Sequence, residues 1–340
     1  MTKKVLIIGS GNRIRNSFFP ALQCLAATHS IVGLYSRTPA HRQLVCKKWG
    51  IKEVTSLEEF AFSEVDLVIM SISTHAVPKV LQSIGHKCSE TALLIDTPVF
   101  MSIRSFLNIR SLKMFKRVLV AEDFIQYPHF KIMRDVIKKQ TLGDIRKIEL
   151  YRTGYEYHGL ALIRSFLNLA KVRSVLMRTV GDGADEFTFK FDSGISGTIV
   201  EPYSRFDGWI KIEGEKQSLI YDPCILYESS AQDSISRLQH RKTDDGVMIF
   251  SIDGIDVPTE LQPDSFQKLQ SLEIEDTSDF NTFKSCGLVS IINSASSNES
   301  VGYTLAEGLY DSLASLLYWR QRRYPDVVNR ALLGLLKNVV

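Results

Sequence analysis

Two glycines near the start of the chain have the spacing of a phosphate-binding turn. The stretch VLIIGSGNRI places Gly9 and Gly11 directly after an apolar run and before a helical segment. In a dinucleotide site the first glycine permits a tight turn, and the second lets the backbone approach a pyrophosphate at the helix N-terminus. The sequence therefore predicts that the whole turn binds a dinucleotide. Its residues are Gly9, Ser10, Gly11, Asn12, Arg13 and Ile14.

The third position of this fingerprint carries Ile14, where glycine or alanine usually allows close packing of the helix on the strand. We therefore expect the helix to lie slightly farther from the strand than usual. The alternative interpretation of the turn is a purely structural one.

The end of the second apolar run distinguishes between the two nicotinamide cofactors. An acidic residue there binds the ribose 2′-hydroxyl of NAD, whereas an arginine accommodates the 2′-phosphate of NADP. The sequence has Ser36, Arg37 and Thr38 and no acid. Since arginine suits phosphate geometry, NADP is favoured over NAD. The alternative is an ordinary solvated arginine after a strand.

Further polar residues follow two later apolar runs. LLIDTPV ends at Asp96 and Thr97, and the stretch AEDFIQYPH carries Glu122, Asp123 and Tyr127. Functional groups of α/β proteins collect at the carboxyl ends of the strands, so these residues are candidates for a site. Asp96 would orient the corner or contact a ribose. The alternative for each is an exposed charge or a half-buried aromatic ring.

The elements that must position these residues fall into two halves. In the first 120 or so residues, short apolar runs alternate with helical segments, which predicts a doubly wound parallel sheet. From about Ile145, longer stretches of alternating polarity predict an antiparallel meander. The fold class is therefore α/β, with a Rossmann dinucleotide-binding domain at 1–122 and an α+β domain at 123–340 containing a large, mostly antiparallel sheet.

Three segments outside these patterns receive separate predictions. A polar, weakly periodic pattern predicts a surface excursion at 228–244, ESSAQDSISRLQHRKTD. A second loop is predicted at 293–300, NSASSNES. YTLAEGLYDSLASLLYWRQRRY (303–324) has apolar residues at helical spacing and basic residues in its last turns, which predicts a helix packed on a core.

Composition excludes several classes of protein. The 340 residues are 44% hydrophobic and 23% charged, which is typical of a soluble protein with two cores. No apolar run approaches the roughly 18 residues of a membrane span, and KKVLII is too short for a signal-peptide core. We therefore expect a cytoplasmic protein that is not bound to membranes.

A net charge of +3 is too small to indicate nucleic-acid binding. Five scattered cysteines without CxxC spacing predict reduced, mostly buried thiols and no metal site.

With these residues in place, the chain resembles the Gfo/Idh/MocA oxidoreductase family over nearly its whole length. Besides the glycine turn, FPAL matches the family's first helix, and VDLVIMSISTHAVPKVLQSIG is similar to its fourth strand and a histidine-led helix. LLIDTPV lies where the family has Glu-Lys-Pro, and KKQTLGDIRKIEL resembles its entry into the second domain. GISGTIVEPYSRFDGWIKIEGEKQSLIYD is similar to its paired sheet strands. The resemblance implies that further residues line the cofactor, namely Ser71, Ile72, Ser73, His75 and Asp96.

The chain departs from the family pattern where proton transfer would occur. The lysine of Glu-Lys-Pro is replaced by Thr97, and the proline and asparagine that precede the helix histidine are absent. The second-domain pattern of Asp, His and Asp survives only as His158, with Gly154 and Ala161 at the other two positions. Thr97 cannot act as a base near neutral pH, although its hydroxyl can relay or donate a hydrogen bond.

We therefore expect His158 to handle the proton, with Asp96, Thr97 and Tyr127 as weaker catalytic candidates. The alternative for His158 is a hydrogen-bonded packing role. The adjacent Tyr157 would point elsewhere on a helix but could join His158 in a loop.

Because loss of the lysine favours reduction over oxidation, we expect an NADP(H)-dependent oxidoreductase, with NADPH favoured over NADH. Its substrate would be a small biosynthetic metabolite such as a keto-sugar, an imine or a conjugated double bond. The alternative is a catalytically degenerate NADP-binding sensor or assembly partner. The resemblance also implies a homo-oligomer, a dimer or a tetramer.

Overall fold

The computed structural model describes residues 2–102, 105, 109–154, 156–204, 207–227, 234–259, 268–269, 279–297 and 303–321. The chain divides into two compact units, residues 1–126 with 264–312 and residues 127–263 with 313–340. The predicted boundaries, 1–122 and 123–340, did not anticipate that a distant segment returns to the first unit. The cause is a helix whose apolar side chains pack on the first sheet.

The first unit contains a six-stranded parallel sheet in the order β3-β2-β1-β4-β5-β6. This is the strand order of the dinucleotide-binding doubly wound fold, and the predicted architecture is confirmed. The two-residue strand β3 was not predicted. The strands are β1 Lys3–Ile8, β2 His29–Tyr35, β3 Glu53–Val54, β4 Leu67–Met70, β5 Ala92–Asp96 and β6 Arg117–Ala121.

The central strands form because their residues are apolar on both faces. Residues 5–8 of β1 and residues 67–69 of β4 are 0% exposed. A strand covered by helices on both sides has no solvent-facing row of side chains, so its sequence is continuously apolar rather than alternating. A serine follows each run within two residues, Ser10 after β1 and Ser71 after β4, and the carboxyl ends of these parallel strands share one edge of the sheet.

Helices cover both faces of this sheet. A π-helical turn, Ile14–Phe18, leads into α1 Phe19–Cys24, and α2 Pro39–Trp49, α3 Val77–Ile84 and α4 Ile109–Leu112 follow. Three of these, α1, α2 and α3, have proline at their first or second position, where the missing N–H costs no hydrogen bond. The helix expected to be led by His75 begins at Val77, and His75 lies in the turn before it.

A helix from the end of the chain completes the first unit. α7 Asp279–Ser296 (numbered after α5 and α6 of the second unit) buries Leu288, Ile291 and Ile292 in the core beneath β1 and β4. The loop predicted at 293–300 is therefore wrong for residues 293–296, which continue the helix, while 298–300 lie outside the described residues. Polar serines and asparagine do not end a helix whose opposite face is packed on a core.

The second unit contains a nine-stranded mixed sheet in the order β15-β14-β13-β12-β11-β7-β10-β9-β8. It is mostly antiparallel, as predicted, but it is not a simple meander, because β7 pairs in parallel with β10 and β12 in parallel with β13. The strands are β7 Ile145–Tyr151, β8 Val172–Val180, β9 Ala184–Phe191, β10 Ser196–Glu201, β11 Trp209–Gly214, β12 Ser218–Tyr221, β13 Ile235–Lys242, β14 Met248–Ile252 and β15 Ile255–Val257.

The predicted surface excursion at 228–244 is wrong for its second half. Residues 235–242 form β13, which pairs with β12 and β14, while 228–233 lie outside the described residues. The strand has few apolar residues, and only Leu238 among its residues is fully buried. Apolar periodicity alone does not detect such a strand.

Helices cover one face of this sheet. They are α5 Pro128–Lys138, α6 Glu156–Phe166 and the second half of α8 Leu305–Gln321, whose first half belongs to the first unit. The last of these confirms the predicted terminal helix as far as residue 321. Tyr318 packs on Phe187 and Phe189 of β9, with ring centroids 4.8 and 5.4 Å apart.

The cysteines partly follow the expectation. Cys46, Cys88 and Cys286 are buried, whereas Cys224 is exposed. Burial raises the pKa of the Cys88 thiol to about 12, so it stays protonated at neutral pH.

A buried histidine in the second unit predicts acid sensitivity. His129 on α5 is 3% exposed and stacks on Tyr221 at 4.3 Å, with Phe130 beside it at 4.0 Å. Burial, reinforced by the charge of His240, holds the pKa of His129 well below its usual range. Because the folded-state pKa is depressed, this histidine stabilises the fold at pH values above its unfolded pKa. That contribution is lost as the pH falls through that value.

We therefore expect the free energy of unfolding to decrease by about 1 kcal/mol per pH unit below about pH 6.5 on account of His129. Urea unfolding of the wild type and of His129→Phe at pH 7.5 and 5.5 measures this effect. The variant should lose less stability on acidification than the wild type. Equal losses would show that His129 is not the responsible group. Replacement of the exposed His86 by phenylalanine serves as the control.

Candidate cofactor and active site

The turn after β1 requires glycine at its first position. Gly9 has φ +129°, and a Cβ placed on it would lie 2.1 Å from the carbonyl oxygen of Ser71. The Gly9 N–H donates to the carbonyl oxygen of Tyr35 at 2.8 Å, and the Ser71 N–H donates to that of Ile8 at 3.0 Å. These two hydrogen bonds hold the ends of β1, β2 and β4 close together. The backbone at Gly9 therefore has no space for a side chain.

The second glycine serves a different purpose. Gly11 is exposed, has no positive φ, and would place a Cβ with nothing within 4 Å in the protein. Neither packing nor conformation therefore requires glycine here. A residue that the fold does not restrict to glycine, at the place where a pyrophosphate approaches backbone, fits a ligand requirement. The neighbouring Asn12 is also exposed, and its side-chain oxygen accepts a hydrogen bond from Arg15.

Ile14 fills the space between its helix and the glycine turn. It is 0% exposed, and its Cγ1 lies 3.5 Å from the position of a Cβ on Gly9. The helix begins at this residue as a π turn, Ile14–Phe18, before it narrows to the α form. A π turn is wider than an α turn, which gives the isoleucine room without loss of packing.

The polar residues after β2 are held in place by two contacts. The Ser10 hydroxyl donates to the Ser36 hydroxyl at 2.7 Å, which links the phosphate turn to the end of β2. The buried Arg42 donates to the Ser36 carbonyl oxygen at 2.6 Å and to Glu53 at 2.7 Å. Arg37 and Thr38 are exposed beside this anchored backbone.

The carboxyl end of β4 contributes a mixed surface. Ser71 is buried, and its hydroxyl donates to Asp96 Oδ2 at 2.6 Å. Ile72 is half-buried, while Ser73 and His75 are exposed. The predicted cofactor-lining residues of this segment therefore lie beside the phosphate turn, at the switch point between β1 and β4.

Asp96 at the end of β5 is fully engaged in hydrogen bonds. Besides Ser71, it accepts a hydrogen bond at Oδ1 from the Thr97 N–H at 3.0 Å and one from Arg13 Nε at 3.3 Å. The Thr97 hydroxyl faces the carbonyl oxygen of Ala121 at 3.5 Å. A carboxylate that already accepts three hydrogen bonds is better suited to holding its neighbours than to removing a proton.

Arg13 connects the phosphate turn to two strand ends. Its guanidinium binds Asp96 and makes a two-pronged contact with Asp123, in which Nη1 lies 3.1 Å from Oδ2 and Nη2 lies against Oδ1. The side chains of Arg13, Asp96 and Asp123 are 22%, 17% and 3% exposed. The arginine stem therefore passes across the carboxyl end of β4, over the sheet edge where α/β proteins bind ligands.

Support for this cluster comes from the distant helix α7. Gly287 approaches the Asp123 backbone so closely that a Cβ would lie 2.7 Å from its carbonyl oxygen. Two residues earlier, the Ser285 hydroxyl donates to the Ser17 carbonyl oxygen at 3.4 Å, on the helical turn that follows the phosphate turn. Arg42, Ser285 and Gly287 were not among the predicted site residues. The acid and glycine patterns point to ligands and not to the residues that support them.

In the second unit, His158 lies in the first turn of α6 next to a tyrosine partner. Its Nε2 is 2.6 Å from the Tyr157 hydroxyl, and the two rings are 4.1 Å apart. The prediction that Tyr157 points elsewhere is wrong. At a helix start, side chains of consecutive residues still meet when the rings tilt toward each other. Tyr157 is buried and His158 is half-buried, so the imidazole retains access to solvent.

Tyr127, the remaining catalytic candidate, is only 2% exposed. It stacks on Phe130 at 5.7 Å with nearly parallel rings, and His129 lies at the same distance. The structure therefore favours a packing role for Tyr127 over contact with a substrate.

The described residues contain no group of three or more His, Cys, Asp or Glu side chains arranged to hold a metal ion. None of the helices within them is both long enough and apolar enough to cross a membrane.

Comparison with known proteins identifies the first unit. Residues 3–119 match a family model described as Oxidoreductase family, NAD-binding Rossmann fold, of the Gfo/Idh/MocA type. No curated protein matches the chain by sequence.

Solved structures share the fold at low sequence identity. An oxidoreductase from Agrobacterium radiobacter, solved with NAD+, L-tartaric acid and magnesium, is 13% identical with a TM-score of 0.68, covering 96% of this chain and 97% of that one. Scyllo-inositol dehydrogenase from Lactobacillus casei, with bound NAD(H) and scyllo-inositol, is 15% identical with a TM-score of 0.60, covering 93% and 95%. A super-repressor mutant of Gal80p from Saccharomyces cerevisiae is 12% identical with a TM-score of 0.67, covering 96% and 97%.

At these identities the solved structures establish the fold alone. Residues 3–119 are similar to the NAD-binding Rossmann domain of the Gfo/Idh/MocA oxidoreductase family.

Proposed function

We propose that the protein is an NADP(H)-dependent oxidoreductase that reduces a small metabolite. The observation that carries this proposal is the turn after β1, where Gly9 is required by the fold and Gly11 is not. An exposed glycine that the fold does not require, at the carboxyl end of β1 in a 3-2-1-4-5-6 sheet, is explained by a pyrophosphate approaching the backbone.

The preference for NADP is supported by the end of β2. Ser36, Arg37 and Thr38 offer two hydroxyl groups and a guanidinium, and none of the three is an acid that would pair with a ribose 2′-hydroxyl. The nearby Glu53 is neutralised by Arg42 at 2.7 Å. Arg37, exposed next to the anchored Ser36, is therefore the residue we assign to the 2′-phosphate.

When bound, the cofactor supplies the hydride. The chain's own residues would bind it along the turn from Gly9 to Ile14 and along the end of β4, where Ser71, Ile72, Ser73 and His75 stand. We assign proton transfer to His158, whose imidazole is half-buried and paired with the Tyr157 hydroxyl. Asp96 holds Arg13 and Ser71, and the Thr97 hydroxyl, which makes a long hydrogen bond to the Ala121 carbonyl oxygen at 3.5 Å, would have to turn from it to donate to a substrate.

Reduction is favoured over oxidation because the corner after β5 lacks a base. Thr97 cannot accept a proton from a hydroxyl group near neutral pH, and Asp96 already accepts three hydrogen bonds. Reduction of a keto-sugar, an imine or a conjugated double bond requires a proton donor, which an imidazolium provides.

We further propose that the first unit holds the cofactor and that the second contributes to substrate binding and oligomerisation. The protein would act as a cytoplasmic homo-oligomer.

The cofactor preference can be measured directly. We expect NADPH to raise the melting temperature more than NADH does. NADPH should also bind at least about tenfold more tightly than NADH, since a guanidinium contact with a phosphate is worth more than about 1 kcal/mol. Arg37→Ala should remove the preference while leaving NADH affinity unchanged. Lys48→Ala removes the same charge from the other end of α2 and should leave the preference intact. Equal affinities of the wild type for NADPH and NADH would refute the role of Arg37.

A second function is supported by a separate observation. The corner after β5 carries Thr97, and a super-repressor mutant of Gal80p shares the fold. The chain would then be an NADP-binding sensor or assembly partner without turnover. Incubation with 4-deuterated NADPH and a panel of keto-sugars, imines and conjugated ketones distinguishes the two functions. Stereospecific transfer of deuterium to any of them excludes the sensor, and tight binding without transfer excludes the reductase.

A further inference from the structure

Three charged side chains from three separate segments meet at the carboxyl edge of the first sheet. Arg13 comes from the phosphate turn, Asp96 from the end of β5, and Asp123 from the loop after β6. All three are largely withdrawn from solvent, with exposures of 22%, 17% and 3%. One guanidinium balances only one of the two carboxylates, so the cluster carries a net charge of −1.

The position of this cluster places it toward one half of a bound dinucleotide. A dinucleotide held at the turn after β1 would direct its adenosine half toward β2, which carries Ser36 and Arg37 at its end. Its nicotinamide half would then face β4 and β5, the side of the sheet edge that carries Asp96 and Asp123.

The two redox forms of the cofactor differ in charge in that half alone. Departure of the hydride takes two electrons from the ring, so the oxidised ring carries +1 and the reduced ring is neutral. The phosphates are common to both forms. A partly buried charge discriminates between them more strongly than an exposed one, because water screens it less.

We infer that the charge of the Arg13–Asp96–Asp123 cluster sets the preference of the site for the oxidised over the reduced cofactor. The Asp123 carboxylate strengthens this preference, and the Arg13 guanidinium weakens it. This inference rests on the proposed cofactor function. A net charge of −1 favours the cationic ring, which by linkage makes the bound reduced cofactor a stronger hydride donor. The cluster would thereby favour the reductive direction without itself touching the substrate.

The test compares dissociation constants for NADP+ and NADPH, measured by tryptophan fluorescence or calorimetry without turnover. Asp123→Asn changes the cluster charge from −1 to 0, and Arg13→Gln changes it to −2. The ratio of Kd for NADP+ to Kd for NADPH should rise at least about threefold in the first variant and fall by a similar factor in the second. Damage to the fold would instead move both constants together.

The double variant Arg13→Gln/Asp123→Asn restores the charge of −1 and should return the ratio to within about twofold of the wild type. Glu122, which is buried next to Asp123, is present in every variant and cancels from the comparison. If Arg13→Gln alone does not fold, Asp123→Asn and the double variant still decide the question.

The outcomes separate this inference from the cofactor proposal. A wild type that binds neither NADP+ nor NADPH overturns both. A wild type that binds both, with a ratio that is unchanged in Asp123→Asn or that moves in the same direction in both single variants, overturns the inference alone.

Discussion

Replacement of Gly9 by alanine should lower the free energy of unfolding by about 2–4 kcal/mol, whereas the same replacement at Gly11 should leave it unchanged. The two glycines are two residues apart in one turn, but their environments differ. A Cβ on Gly9 would lie 2.1 Å from the Ser71 carbonyl oxygen on a backbone with φ +129°, while a Cβ on Gly11 would meet nothing within 4 Å. Urea unfolding of the two variants measures the difference.

The same pair of variants tests the cofactor site. Gly11→Ala should keep its stability within about 0.5 kcal/mol of the wild type. It should nevertheless bind NADPH at least about tenfold more weakly, since the added methyl group occupies the face that a pyrophosphate approaches. Gly11→Ala with normal cofactor affinity would contradict pyrophosphate binding at this turn. An unaltered stability of Gly9→Ala would contradict the described backbone.

Replacement of His158 by alanine should lower the turnover of a reduced substrate by about 100-fold, with NADPH affinity unchanged, because general acid catalysis commonly contributes a factor of that size. Turnover is measured as NADPH oxidation on whichever member of the substrate panel accepts deuterium. His86→Ala, which removes an exposed histidine of the first unit, should have no effect.

The tyrosine partner provides a second readout for His158. The Tyr157 hydroxyl lies 2.6 Å from Nε2, so Tyr157→Phe should lower turnover while NADPH affinity is kept. A packing histidine would give neither result. Unchanged turnover in His158→Ala would show that the half-buried imidazole serves packing.

The apolar runs of the sequence determined the architecture of the first unit. Strands buried on both faces are largely apolar, so the alternation of apolar runs with helical segments predicted β1, β2, β4, β5 and β6. The glycine turn was equally predictable, because only glycine adopts φ +129° at Gly9 without strain. Local conformation and local polarity are properties that a short stretch of sequence carries by itself.

The polar strand β13 and the helical residues 293–296 were not predictable in this way. Their residues are polar, and they become regular only through pairing with β12 and β14 or through packing on the first sheet. The same applies to the domain boundary, since the return of residues 264–312 to the first unit depends on contacts more than 150 residues apart in the chain.

The candidate site shows the same division. The identities of Gly9, Ser36, Arg37 and Asp96 pointed to a cofactor because each residue type suits one part of a dinucleotide. Only the tertiary structure joined Arg13 to Asp96 and Asp123, residues 83 and 110 positions apart, and paired Tyr157 with His158. Side-chain hydrogen bonds and ion pairs depend on distances of a few tenths of an ångström between separate segments. Those distances are set by packing of the whole chain and not by the sequence around any one residue.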